Sequence, residues 1–342
     1  MQTRRTATAR PTMRDVASVA GVSLKTVSRV INGEAGVATG TASRVSDAIV
    51  ELGFQRNDLA RSLRQGRTSS TLGLLIEDVA NPFYSAIAQA VEGVARARGF
   101  MLITGSCEED PEREHDLVTA LARRRVDALL IVPASHDHAY LGRELGPATP
   151  AVFLDRPPQG FEADTVLLDN RGGAHLAVEH LLAQGHRRIA FVSDPEGLYT
   201  ATERHAGYRR AMERAGVPID PARVRLGSHD AEQAEAVVAE LLALPEDRRP
   251  TALFTGNNRH TVGAVRALRA AGGEAIALVG FDDFELADLL AVPITVIRHD
   301  PARMGGQAAA LAFGRLDGDD RPPQEIVVPT ELIQRGSGEI AP

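Results

Sequence analysis

Tryptophan is absent from this chain, cysteine and lysine occur once each, and aromatic residues make up only 4% of it. A single cysteine, Cys107, excludes an internal disulfide and agrees with a reducing compartment; it reads as a small buried core residue rather than a catalytic thiol. No apolar run approaches ~18 residues, which excludes a membrane-spanning helix. The first ten residues, Met-Gln-Thr-Arg-Arg-Thr-Ala-Thr-Ala-Arg, have basic side chains but no apolar segment behind them, so no secretory signal is expected and the protein is placed in the cytoplasm. Catalytic signatures are missing too. There is no Gly-x-Ser-x-Gly elbow, no phosphate-binding P-loop, no His-Glu-x-x-His and no cysteine pair, so neither enzymatic chemistry nor a cofactor is expected. His136-Asp137-His138 reads as a solvated loop rather than an edge metal site, and Gly172-Gly173 opens a helix without the rest of a phosphate motif.

What is present is the composition of a globular chain, 44% hydrophobic and 24% charged, and 342 residues are enough for two or three domains. Its net charge of −7 is unevenly spread. Residues 1–67 hold eleven Arg or Lys against five acids, a net +6, which leaves −13 for the remainder. A basic head on an acidic body approaches a polyanion head first. The lone lysine, Lys25, lies in that head.

Residues 12–32 spell two short amphipathic helices around a tight turn. Val16 and Val19/Ala20 share one face, Val27, Val30 and Ile31 share the next, and Gly21 breaks the run. Ser23 stands at the N-cap position of the second helix, which presents Leu24, Lys25, Ser28 and Arg29 outward. The second helix of such a unit enters the major groove of DNA. Three blocks in register, Thr12-x-x-Asp15-Val16-Ala17, Val22-Ser23-x-x-Thr26-Val27-Ser28 and Val30-Ile31-Asn32, resemble the headpiece of the lactose/galactose-repressor (LacI/GalR) family. The resemblance implies DNA contacts from Thr12, Ser23, Leu24, Lys25, Thr26, Ser28, Arg29 and Asn32. A third helix is expected from about Thr41 to Leu52; where the family has a Ser cap and a Glu, this chain has Ala38 and Gly40, leaving Thr39 to cap. Residues 57–64 resemble the family's hinge, implying minor-groove contacts from Arg61 and Arg64 and a wedge from Leu63 that kinks the duplex. The expected organisation is a disordered basic tail (1–11), a helix-turn-helix domain (12–56), a hinge (57–68), and a body (69–342) for effector binding and dimerisation.

From Ser70 onward strand-length apolar runs alternate with helical periods, which predicts an α/β body of doubly wound parallel sheets with helices on both faces. So many strands suit two lobes. This part resembles the two-lobed sensor of the same family, like periplasmic sugar-binding proteins, with crossings between the lobes expected near 168, 297 and 328. Open parallel sheets bind ligands beyond the carboxyl ends of their strands. The polar residues there are Glu77 and Asp78 with Asn81, Phe83 and Tyr84; Asp155 and Arg156; Asn257, Asn258 and Arg259; and Asp282 and Asp283. Arg204 matches the family's cleft arginine, His299 falls where ribose-type binding proteins often place a glutamine, and His229 is placed to flank a ring. Carboxylates and guanidinium groups around an aromatic platform suit a polyhydroxylated ligand, since each hydroxyl can donate to Asp and accept from Arg. The resemblance implies a homodimeric repressor on a pseudo-palindromic operator, controlled by a small molecule, a pentose-like sugar first and a purine second. The remaining alternatives are a solute-binding or carbohydrate-processing protein with the same body and an architectural DNA binder with a vestigial body.

Overall fold

The structure, a computed structural model, describes residues 11–31, 34, 36–54, 69–272 and 276–342. Asn32, Arg61, Leu63, Arg64 and the hinge, all singled out above, lie outside the described residues. The chain divides into two units, residues 1–69 and 70–342.

The first unit holds α1 (Met13–Ala20), α2 (Leu24–Ile31) and α3 (Thr39–Leu52). Thr12 starts α1 through a capping box: its hydroxyl accepts from the Asp15 N–H, and the Asp15 carboxylate accepts from the Thr12 N–H. Gly21 ends α1 at φ 63°, a left-handed position that a side chain would strain. Ser23 does cap α2, its Oγ accepting from the Thr26 N–H at 3.1 Å. Val16, Val27 and Val45 are fully buried and Ala20 and Ala48 nearly so, making one small core. Two expectations fail here. Val19 is 48% exposed, because Val16 and Ala20 one turn apart already fill the inner face of α1. Thr39 is the first residue of α3 rather than its cap, and Ala38 at the cap position makes no side-chain hydrogen bond.

The second unit contains two six-stranded sheets. In the first lobe, β1 (Thr71–Ile76), β2 (Met101–Ser106), β3 (Ala128–Ile131), β4 (Ala151–Leu154) and β5 (Asp164–Leu168) are separated by α4 (Pro82–Ala97), α5 (Pro111–Arg123) and the short α6 (Leu141–Glu144). The chain then crosses through α7 (Asn170–Ala183) to the second lobe. There β6 (Ile189–Ser193), β7 (Val224–Leu226), β8 (Ala252–Thr255), β9 (Ala277–Phe281) and β10 (Thr295–Arg298) alternate with α8 (Tyr199–Arg214), α9 (Ala231–Leu242) and α10 (Asn258–Ala270). It returns through α11 (Pro301–Leu316) to β11 (Glu325–Val328) on the first sheet and ends with β12 (Glu331–Ile333) on the second. The strand orders, β11-β5-β4-β3-β1-β2 and β12-β10-β9-β8-β6-β7, are the same pattern twice, all parallel except β12 against β10. The central strands are buried along their whole length, as sheets covered on both faces require. Gly173 of α7 lies where the lobes join; a Cβ there would come within 3.0 Å of Phe281, Ile297 and Thr330, so only glycine lets α7 pack against the crossing strands.

Candidate functional site

The repeated topology gives the site its geometry. Asp155 directly follows β4 and Asp282 directly follows β9, and these strands hold equivalent places in the two sheets. Each aspartate is left-handed, at φ 66° and 68°, and each donates its backbone N–H to the next strand over, Asp155 to Val166 and Asp282 to Ile297. A non-glycine residue held there costs on the order of 1–3 kcal/mol. Both carboxyl groups are buried, at 2% and 6% residue exposure, so the strain aims two carboxylates into one place from opposite lobes.

That place is a cavity of about 40 Å³. Glu77, Asn81, Phe83, Tyr84, Asp155 and Arg156 line it from the first lobe, and Arg204, His229, Asn257 and Asp282 line it from the second. His299 stands just behind, its Nε2 2.7 Å from Asp282 Oδ1, on a wider neighbouring recess. Arg204 projects from the second turn of α8, donates to Asn170 Oδ1 and the Gly256 carbonyl, lies over the Phe281 ring at 3.9 Å, and approaches Asp282 at 4.0 Å. Arg156 is clamped by both oxygens of Glu109 and by the Pro133 carbonyl. Tyr84 donates to Asp155 Oδ2 at 3.3 Å, and Phe83 meets His299 edge to face. Asn81 and Asn257 are also helix caps, for α4 and α10, and Asn257 donates to Asp194. His229 is exposed at the rim.

Arg259, also at a strand end named above, lines the cavity too, and Glu109, Asp194 and Thr200 complete the lining without having been among the predicted residues. Glu109 and Asp194 come just after the ends of β2 at Ser106 and β6 at Ser193, the kind of position the strand-end rule marks. Arg259, in the first turn of α10, reaches across the cleft to Asp78 and, at 3.5 Å, to Glu77. Beside it Asn258 donates to Asn81 Oδ1 at 3.1 Å. These contacts hold the lobes closed. At roughly 10–15 Å³ per water the cavity has room for about three waters, less than a sugar ring needs.

The surroundings shift the carboxyl groups in different directions. Burial, reinforced by the Glu109 charge, pushes Glu77 up to about 7. Burial also raises Asp155 against the pull of Arg156 and Arg204. Burial acts on Asp282 as well, but Arg204, His299 and the Asn258 N–H outweigh it and hold this carboxyl below its ordinary value. Two aspartates in equivalent backbone positions thus shift in opposite directions, Asp282 having the hydrogen bonds from His299 and the Asn258 N–H that Asp155 lacks.

Two further expectations meet the structure outside the cavity. His138 is not in a solvated loop: it is fully buried, its Nδ1 accepts from the Gln159 N–H, and its Nε2 lies 3.6 Å from Glu114. The Glu114 carboxylate drew the loop inward by capping the Ala134 and Ser135 N–H groups. The N–H of Gly172 is taken by Asp169 Oδ1, which leaves it unavailable to a phosphate. Cys107 is fully buried, and burial pushes its thiol up to about 12, so it is no nucleophile.

A helix-turn-helix unit joined in one chain to a two-lobed α/β body with a polar cleft defines a DNA-binding regulator with a ligand sensor. Residues 12–57 match the bacterial regulatory proteins of the lacI family, and residues 178–338 match a periplasmic binding protein-like domain. The chain belongs to the LacI family. It is 34% identical to the ribose operon repressor of Escherichia coli (strain K12), over 95% of this chain and 99% of the relative. It is 31% identical to the repressor PurR of Aliivibrio fischeri (strain ATCC 700601 / ES114), over 95% and 98%. Among solved structures, the lac repressor dimer bound to operator and the anti-inducer ONPF is similar with a TM-score of 0.80 at 27% identity, covering 96% of this chain and 99% of that one. Among the described residues no helix is long and apolar enough to cross a membrane.

Proposed function

We propose that this chain is a homodimeric transcriptional repressor that binds a pseudo-palindromic operator through paired helix-turn-helix heads and is released by a neutral sugar bound between the lobes. The carrying observation is the pair of buried, left-handed aspartates, Asp155 and Asp282, aimed at one cavity from equivalent positions in two lobes. A ligand that donates hydroxyls to both stabilises the closed arrangement, and only differential affinity for two arrangements can drive a switch. The similarity to a ribose operon repressor supports a pentose, and a regulator of DNA works in the cytoplasm. In the head, Ser23 and Thr26 hold each other at 2.8 Å at the start of α2, while Leu24 at 43% exposure and the exposed Lys25 face outward to read bases. Thr12, Ser28 and Arg29 are assigned to phosphates or base edges around them.

A purine effector is the second reading, favoured by the similarity to PurR. Against it, the cavity offers only Phe83 and Tyr84 as aromatic walls, tilted by 59° to each other, which is not a parallel slot for a flat base. Operator titrations of the full chain with ribose, other pentoses, hexoses, hypoxanthine and guanine decide between them. Release by a sugar supports the proposal; a response to a purine alone overturns the sugar, and no response to any compound together with sequence-independent DNA binding overturns the regulator.

A further inference from the structure

The balance of charge around the cleft goes beyond the identity of any one sugar, although it rests on the cleft's being the effector site. Five carboxyl side chains line the cavity against three guanidinium groups. None of the three guanidinium groups is unengaged. Arg156 is bound to Glu109, Arg204 to Asn170, the Gly256 carbonyl and Asp282, and Arg259 to Asp78 and Glu77. Among the described residues, Asp155 Oδ1 and Asn258 Oδ1 are buried acceptors left without a partner; Arg156 Nε is an unpaired donor beside them, and Ser193 Oγ, His260 Nδ1 and His299 Nδ1 close by are unpaired as well. Asp194 adds a carboxylate whose hydrogen bonds come from the Asn257 amide, not from a cation.

We propose that the cleft of this protein excludes anions: its excess of carboxyl groups, Asp194 foremost, around fully engaged arginines rejects phosphorylated and carboxylated sugars and admits uncharged ones. An entering phosphate would meet like charge in a largely buried site, where repulsion is screened less than in bulk water, and would find no guanidinium without first breaking an internal contact. A neutral polyol meets no such repulsion and supplies hydrogens to the unpaired acceptors. Discrimination of this kind comes from what the site repels as much as from what it attracts.

The test uses the full chain and two arms. In the first, ribose and ribose 5-phosphate are compared by calorimetry, and at least a tenfold preference for the uncharged sugar is expected. In the second, inorganic phosphate is titrated at constant ionic strength while thermal unfolding is followed, with the wild type and the near-isosteric double variant Glu77→Gln/Asp194→Asn. Wild type shows no saturable stabilisation by phosphate, and the variant gains it. Equal or tighter binding of the phosphate ester, saturable phosphate binding by wild type, or no gain in the folded double variant overturns the proposal. A purine effector would leave the phosphate arm unchanged, so failure of the sugar reading is distinguishable from failure of this one.

Discussion

At the scale of single residues, Lys25 and Glu77 carry the sharpest expectations. Lys25 is exposed near the start of α2 and is assigned to a guanine edge. Lys25→Ala is expected to cost ~1–3 kcal/mol of operator binding and to relax preference at one symmetric pair of positions. Binding assays over a panel of operator variants check this; a uniform loss across all sequences would reassign Lys25 to a phosphate. Glu77 concerns pH. Its carboxyl rises from 4.5 to about 7, so between those values the folded chain holds a proton that the unfolded chain has released. Unfolding then releases a proton, and stability falls as pH rises through that window, by at most ~3 kcal/mol from this group. Asp155 contributes in the same direction and Asp282 in the opposite one. Denaturant unfolding of wild type and Glu77→Gln from pH 4.5 to 8 should show a shallower fall in the variant. Equal slopes would mean that Glu77 titrates normally.

At the scale of elements, the helix ends and the strand ends behave differently. The head helices are short, so caps weigh heavily on them. Ser23→Ala is expected to remove ~1 kcal/mol from the head by deleting the side-chain cap on the Thr26 N–H, lowering operator affinity without changing its sequence preference. In the body, Arg259 at the start of α10 ties the second lobe to the end of β1. The pair is about 28% exposed, which limits its worth to about 1 kcal/mol, so Arg259→Ala is expected to weaken effector binding by roughly two- to fivefold by favouring the open form. Calorimetry with the effector measures this; tighter binding would mean that the contact competes with the ligand. Elements were legible where the apolar pattern was strong. The buried core strands β3, β4 and β8 stand within one residue of their apolar runs, whereas β7 and β12, three residues each and only partly buried or exposed, left no pattern to read. The charged sequence of α5, opening Pro111-Glu112-Arg113-Glu114, masked a helix whose Val118 and Leu121 are buried.

At the scale of the whole molecule, function is a coupling between ligand and DNA, and the two can be separated by substitution. Asp282→Ala or Arg204→Ala is expected to abolish the ligand response, since each removes a charged partner from a closed site, a loss of several kcal/mol, while operator affinity without ligand stays within about twofold. Operator titrations with and without ligand read both quantities; a full response retained by both variants would move the effector site elsewhere.

What the sequence by itself determined was the class of the protein. Three motif blocks within 12–32, the basic head and the alternation of apolar runs are all local, because helix pairs and strand ends are written in neighbouring residues. The tertiary structure alone decided how those pieces meet. Asp155 and Asp282 lie far apart in the chain, each marked in the sequence only by its place at a strand end; their common left-handed geometry and burial arise because two copies of the same strand order bring β4 and β9 to the same place in each lobe. His138 reads as a loop residue until Glu114, from another element, draws it into the core. The closed latch of Arg259 on Asp78 joins residues from separate sheets. Burial and electrostatics are sums over everything packed nearby, and a single chain position does not carry them until the lobes are folded around it.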